Sequence, residues 1–157
     1  MNNISIGDNA PNFTLKVSND KDLKLSDFKG KYLILYFYPK DDTPGCTLEA
    51  KDFQSLQEEF AALNAEIIGV SKDSLASHDK FCNKYGLTFH LGSDFEGDTC
   101  EKYGVWGEKS MFGKKYMGIN RATFLIDTEG KVAFIWPSVS PMNHAREVLT
   151  KLKELQA

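Results

Sequence analysis

The sequence predicts an α/β fold: a central mixed β-sheet flanked by helices. Three observations carry it. Residues 32–38, Tyr-Leu-Ile-Leu-Tyr-Phe-Tyr, are apolar or aromatic at every position, as in a strand covered on both faces. Residues 66–71 form a second such strand. Between the two, Phe53, Leu56, Phe60 and Leu63 recur at helical spacing. A strand–helix–strand order of this kind pairs its strands in parallel through a right-handed crossover.

The elements follow in order. Phe13, Leu15 and Val17 alternate along residues 12–17 and read as a first strand, with a turn at residues 19–22. Leu23 and Leu25 return as its partner, an amino-terminal β-hairpin extension. Residues 26–30 read as one helical turn closed by Gly30. After the strand at 32–38, Thr43 has the residue type of a helix N-cap. Pro44 suits the first helical position, where its missing N–H does no harm. Cys46, seven residues before Phe53, falls on the inward face of that helix and is partly sheltered.

A helix is expected over about 75–85, ending at Gly86. A short extended piece covers 89–91 and a short helix 96–103. The glycine-punctuated stretch 105–120 reads as a loop. Residues 121–126 and 132–136 form a final hairpin around 127–130. The last helix, 143–155, carries Val148, Leu149, Leu152 and Leu155 on one face. This βαβ unit with an antiparallel ββα ending is the thioredoxin-like arrangement, extended at its amino terminus.

Nothing divides the chain of 157 residues, so a single domain over 1–157 is expected, enough to bury roughly 70% of its unfolded surface. A net charge of −3 gives no reason to expect nucleic acid or an anionic membrane as partner. No apolar run approaches the ~18 residues of a membrane span. The first residues lack the basic and apolar regions of a signal peptide, so a cytoplasmic location is the expectation. The glycosylation acceptor patterns at Asn3 and Asn12 are discounted for the same reason.

Three cysteines, Cys46, Cys82 and Cys100, are too few for a disulfide scaffold. In a reducing compartment they point to transient redox chemistry or to inert buried thiols. His78, His90 and His144 show no metal spacing, and there is no C-x-x-C, so no metal is expected. Residues 107–110 lack the upstream glycine of a phosphate loop, and no cofactor is expected.

One stretch concentrates the chemistry: Pro39-Lys40-Asp41-Asp42-Thr43-Pro44-Gly45-Cys46. It places a cysteine at a helix start, where unpaired N–H groups and the helix dipole favour an anion. A thiolate is such an anion, and it is the nucleophilic form of cysteine. The pattern Pro39-x-x-x-Thr43-x-x-Cys46 resembles the peroxiredoxin active-site motif, and the string from Tyr36 to Thr47 is similar to the peroxiredoxin Q, or bacterioferritin comigratory protein, type. Further matches are Gly7-Asp8-x-Ala10-Pro11-x-Phe13, residues 25–30, residues 104–109, and Arg121-x-x-Phe124-Leu125-Ile126-Asp127.

The resemblance implies a thioredoxin-dependent thiol peroxidase that uses no cofactor and reduces hydrogen peroxide and organic hydroperoxides. Cys46 is then the nucleophile, oxidised to a sulfenic acid. Arg121 is a fixed cation whose planar fork suits the sulfur and a peroxide oxygen. Thr43 donates its hydroxyl to sulfur or peroxide, or serves only as N-cap. The N–H groups of Gly45 and Cys46 stabilise developing charge. Pro39 shields the sulfur. Glu49 orients Arg121, or is merely a carboxylate favoured in a first helical turn.

Many relatives of this type place a second cysteine five residues after the first, where this chain has Lys51. A subgroup uses a cysteine on the following helix, a position that Cys82 resembles. Cys82 as a packed core thiol, Cys100 as the partner, and an external thiol remain the alternatives. Two helices on one sheet rarely bring cysteines within the ~4.4–6.8 Å Cα separation of a disulfide. Joining Cys46 to Cys82 would therefore unwind both helices locally. The expected partners are a hydroperoxide and thioredoxin or a similar dithiol, and the expected state is a monomer. The rival classes are a non-catalytic thioredoxin-fold module and a thiol–disulfide oxidoreductase.

Overall fold

The computed structural model describes residues 4–157; the acceptor at Asn3 lies outside them. β1 (Thr14–Val17) and β2 (Lys21–Lys24) form the amino-terminal hairpin, and β3 (Tyr32–Phe37) the apolar strand. α1 (Pro44–Ser55) and α2 (Gln57–Ala62) lead to β4 (Ala65–Ser71), then α3 (Leu75–Tyr85) to β5 (His90–Ser93). After α4 (Thr99–Lys102) come β6 (Trp106–Met111), β7 (Lys114–Ile119), β8 (Ala122–Ile126), β9 (Val132–Trp136) and α5 (His144–Gln156). A seven-stranded mixed sheet runs in the order β2-β1-β5-β4-β3-β8-β9. Its middle three strands, β3, β4 and β5, are parallel; the other pairings are antiparallel. The hairpin extension joins the sheet through Lys16 opposite Ser93.

The predicted stripe from Phe53 to Leu63 belongs to two helices rather than one. The Ser55 hydroxyl donates to the Asp52 carbonyl at 2.8 Å, competing with the helix ladder, and Leu56 leaves helical geometry at ψ 2°. Phe53 and Phe60 still bury themselves in one cluster. The α3 helix matches its expectation at both ends: Ser74 accepts from the Ser77 N–H, and Gly86 closes it at φ +65°. The helix expected over 96–103 shortens to α4, because the Asp94 carboxylate collects the N–H groups of Thr99 and Cys100.

The stretch 105–120 is not a loop. β6 and β7 pair antiparallel from Trp106 opposite Ile119 to Met111 opposite Lys114, around Phe112 and Gly113 at positive φ. This hairpin stands outside the main sheet and buries little besides Ile119, so it lacks the apolar alternation that marks a strand in sequence.

Alternation along β3 divides the interior in two. Ile34 and Tyr36, with Tyr38 just beyond the strand, join Cys46, Phe53, Phe81 and Val148 on one face, against which Cys82 also packs. Leu33, Leu35 and Phe37 join Cys100, Tyr103 and Phe124 on the other. Phe53, fully buried, stacks on Tyr36 with ring centroids 4.6 Å apart. Its replacement by Ala is expected to cost about 3–5 kcal/mol in urea denaturation. A loss below about 1 kcal/mol would show that this face is not the packed core described.

Candidate active site

The end of β3 and the start of α1 meet in a tight turn. Asp42 takes the left-handed conformation at φ +59°, which Asp tolerates better than most residues. Thr43 is the N-cap in an extended conformation, and Pro44 is the first helical residue. The Thr43 hydroxyl makes no capping bond. It donates to the Lys40 carbonyl at 2.9 Å and so closes the turn, rather than pointing its proton at the sulfur. Pro39 is half-buried at the strand end.

Cys46, Glu49, Ala50 and Phe53 form the buried stripe of α1, the spacing of one helix face. Arg121 stands immediately before β8. Pairing of Phe37 with Ala122 brings it beside the strand end from which the turn departs, and the Val139 N–H fixes its carbonyl at 3.0 Å. Its fork then does two things. Nη2 donates to the Cys46 sulfur at 3.3 Å, and Nη1 donates to Glu49 Oε1 at 2.6 Å. Gly45 makes room: a Cβ there would stand 3.3 Å from Arg121 Nη2 and 3.4 Å from Pro141 Cγ.

Burial works to lower the Arg121 pKa, but Glu49 and the Cys46 sulfur more than offset it and the net shift is upward. The guanidinium therefore stays charged beside the sulfur. Burial pushes the Glu49 carboxyl up to about 7, with Arg121 pulling it back. Glu49 Oε2 has no hydrogen-bond partner among the described residues. The group is thus held by one strong contact in an apolar setting.

Cys82 is half-buried on α3, and burial, then Asp41 and Asp79, raise its pKa to about 11. It is a thiol, not a thiolate, while α3 is intact. Cys100 is buried on the opposite face of the sheet, and burial likewise holds it as the thiol. The sheet separates Cys100 from Cys46, whereas Cys82 shares its face.

A second polar cluster, unmarked by any local pattern, lies behind the turn. Asp41, Asp73 and His78 bring one ligand-type atom each within 4.8 Å of one another. These atoms are engaged by the protein itself. Tyr38 and Ser77 donate to Asp41, and Ser71 and the Asp41 N–H donate to Asp73. Contacts between residues 37 positions apart leave no local pattern, so only the fold reveals them.

Residues 6–135 match the model of the AhpC/TSA family. The chain is 51% identical to Peroxiredoxin Bcp of Bacillus subtilis over 97% of each chain. Among solved structures it is similar to a cysteine-to-serine mutant of Xylella fastidiosa PrxQ, with TM-score 0.94 and 40% identity over the whole of both chains. It is also similar to the bacterioferritin comigratory protein of Xanthomonas campestris, studied for alkyl peroxide reduction. The TM-score there is 0.90, with 41% identity over 98% of this chain and 97% of that one.

The Glu49 carboxyl keeps its proton up to about 7 in the folded chain, against an ordinary value of 4.5. Between those values the folded state holds more protons than the unfolded one, so stability falls as pH rises through that window. Glu49→Gln, which cannot ionise, is expected to flatten this decline in urea melts at about pH 5 and about pH 8. Parallel profiles for the two proteins would contradict the assignment.

Proposed function

The chain belongs to the AhpC/TSA family and is a thiol peroxidase of the peroxiredoxin type, and on that premise we propose that Cys46 is the attacking thiol. The observation that carries this is the Arg121 fork, which joins the Cys46 sulfur to Glu49. The Cys46 thiolate attacks one oxygen of the hydroperoxide. An S–O bond forms, the O–O bond breaks, and the departing oxygen takes a proton to leave as water or an alcohol. The sulfur is oxidised by two electrons to a sulfenic acid.

Arg121 stabilises the anion before attack and the charge that builds on the peroxide oxygens during it. The N–H groups of Gly45 and Cys46 at the helix start act in the same sense. Glu49 holds the guanidinium in register. Thr43 contributes by fixing the turn through Lys40, and Pro39 adds bulk without a donor.

Cys82 is the resolving thiol in this proposal. Its sulfur displaces the sulfenic oxygen, an S–S bond replaces the S–O bond, and water leaves. Its place on the Cys46 face of the sheet supports this over Cys100. Its raised pKa of about 11 in intact α3 supports a need for local unwinding first. A dithiol of the thioredoxin kind then reduces the disulfide. Hydrogen peroxide and organic hydroperoxides are the substrates, and the enzyme works as a cytoplasmic monomer of one domain over residues 1–157.

Cys46→Ser is expected to abolish peroxide consumption. Cys82→Ser should leave the first oxidation intact and block turnover with thioredoxin; full turnover by that variant would remove Cys82 from the cycle. Arg121→Gln should slow Cys46 oxidation by about 100- to 1000-fold, the scale of losing a donor to a developing oxyanion. A change under about threefold would leave Arg121 with a packing role only. On oxidation, amide exchange should rise in the first turn of α1 and in α3; identical protection in both states would rule out the unwinding.

A further inference from the structure

Two consecutive aspartates of the active-site turn hold the two ends of α3, with Cys82 between them. At the first turn, Asp41 Oδ2 accepts from Ser77 Oγ at 2.8 Å and lies 2.7 Å from His78 Nδ1, while Oδ1 accepts from the Tyr38 hydroxyl at 2.5 Å. His78 Nε2 lies 3.1 Å from the Gly92 carbonyl, tying the same turn to β5. Asp41 and His78 are both buried. At the last turn, Asp42 Oδ2 accepts from Lys84 Nζ at 2.8 Å and Oδ1 from the Tyr85 hydroxyl at 2.6 Å, both in solvent. The Tyr85 ring lies 5.3 Å from Lys84 Nζ and 6.0 Å from Nζ of Lys51 on α1.

The two grips differ in strength. Breaking the buried one strands a carboxylate and an imidazole away from water, whereas an exposed ion pair contributes about 0–1 kcal/mol. Opening of α3 therefore starts at its carboxyl end, where Cys82 lies, and pivots on His78. We propose that Asp42, through Lys84 and Tyr85, is a positioning residue that clamps the Cys82-bearing half of α3 shut and so sets the rate at which Cys82 reaches the oxidised Cys46. Lys51 belongs to the same closure from the α1 side, at the position where a nearer cysteine is missing.

The proposal rests on Cys82 as the resolving thiol. In the step it governs, the Cys82 sulfur bonds to the sulfenic sulfur of Cys46, the S–O bond breaks, and the hydroxyl takes the thiol proton and leaves as water. No other reactant is needed. Release of the clamp also frees Cys82 from the burial that keeps it protonated.

The test is rapid mixing of the reduced chain with one equivalent of hydrogen peroxide, following sulfenic acid and disulfide by quench and mass. Asp42→Asn keeps a residue that accepts the positive φ, and Tyr85→Phe removes only a hydroxyl. Each should leave Cys46 oxidation at the wild-type rate, which also reports an intact fold. The double variant should close the disulfide about three- to tenfold faster and yield less sulfinic acid under excess peroxide. Added salt should speed closure in the wild type and in Tyr85→Phe, but not in Asp42→Asn. Closure at an unchanged or lower rate in the variants would overturn the clamp while leaving Cys82 as resolver. A wild-type chain that forms no Cys46–Cys82 bond would overturn both.

Discussion

Arg121 reaches Cys46 and Glu49 at once, and most of the surrounding structure makes that contact possible. The antiparallel pairing of β3 with β8 delivers Arg121 to the strand end from which the turn departs. Glycine at position 45 leaves the guanidinium space against the helix start. The helical stripe of α1 puts sulfur and carboxylate three residues apart on one buried face. A cation partly removed from water needs polar partners, and here it has Glu49 Oε1 at 2.6 Å and the Cys46 sulfur at 3.3 Å. The attraction is stronger for that burial, and so is the penalty for losing either partner.

The same compactness works against the proposed second step, the joining of Cys46 to Cys82. Cys46 is buried, and Cys82 is a protonated thiol within an intact helix. A thiol held protonated in an intact helix is a poor nucleophile, so the proposed disulfide calls for α3 to open. The sheet settles which thiol shares the Cys46 face: α1 and α3 pack with Cys46 and Cys82 on one side, and α4 puts Cys100 on the other. What remains is a matter of how firmly α3 is held, and its two aspartate grips are unequal.

Much of this was legible in the residues. β3 announces itself by unbroken apolarity, and α3 by its closing glycine, because those signals are local. The place of Cys46 at a helix start after Pro44 and Gly45 was legible, whereas the sequence left Glu49 open between a partner of Arg121 and a carboxylate favoured by the first helical turn, and the fold supplies the 2.6 Å pair. The β6–β7 hairpin was not, since strands that stand away from the core carry no apolar alternation. The break at Leu56 was hidden because both helices continue one stripe. The residue type of Thr43 suits an N-cap or a donor to sulfur or peroxide, but in the fold its hydroxyl donates to the Lys40 carbonyl instead. The Asp41–His78 contact depends on the crossover of two distant segments, and no local pattern encodes it.

Peptide mass mapping after one equivalent of hydrogen peroxide tests the proposed chemistry, oxidation of Cys46 followed by its joining to Cys82. A single intramolecular link between the peptides that carry Cys46 and Cys82 is expected, with Cys100 still a free thiol. A link from Cys46 to Cys100, or a chain that consumes peroxide while Cys46 stays reduced, would contradict it.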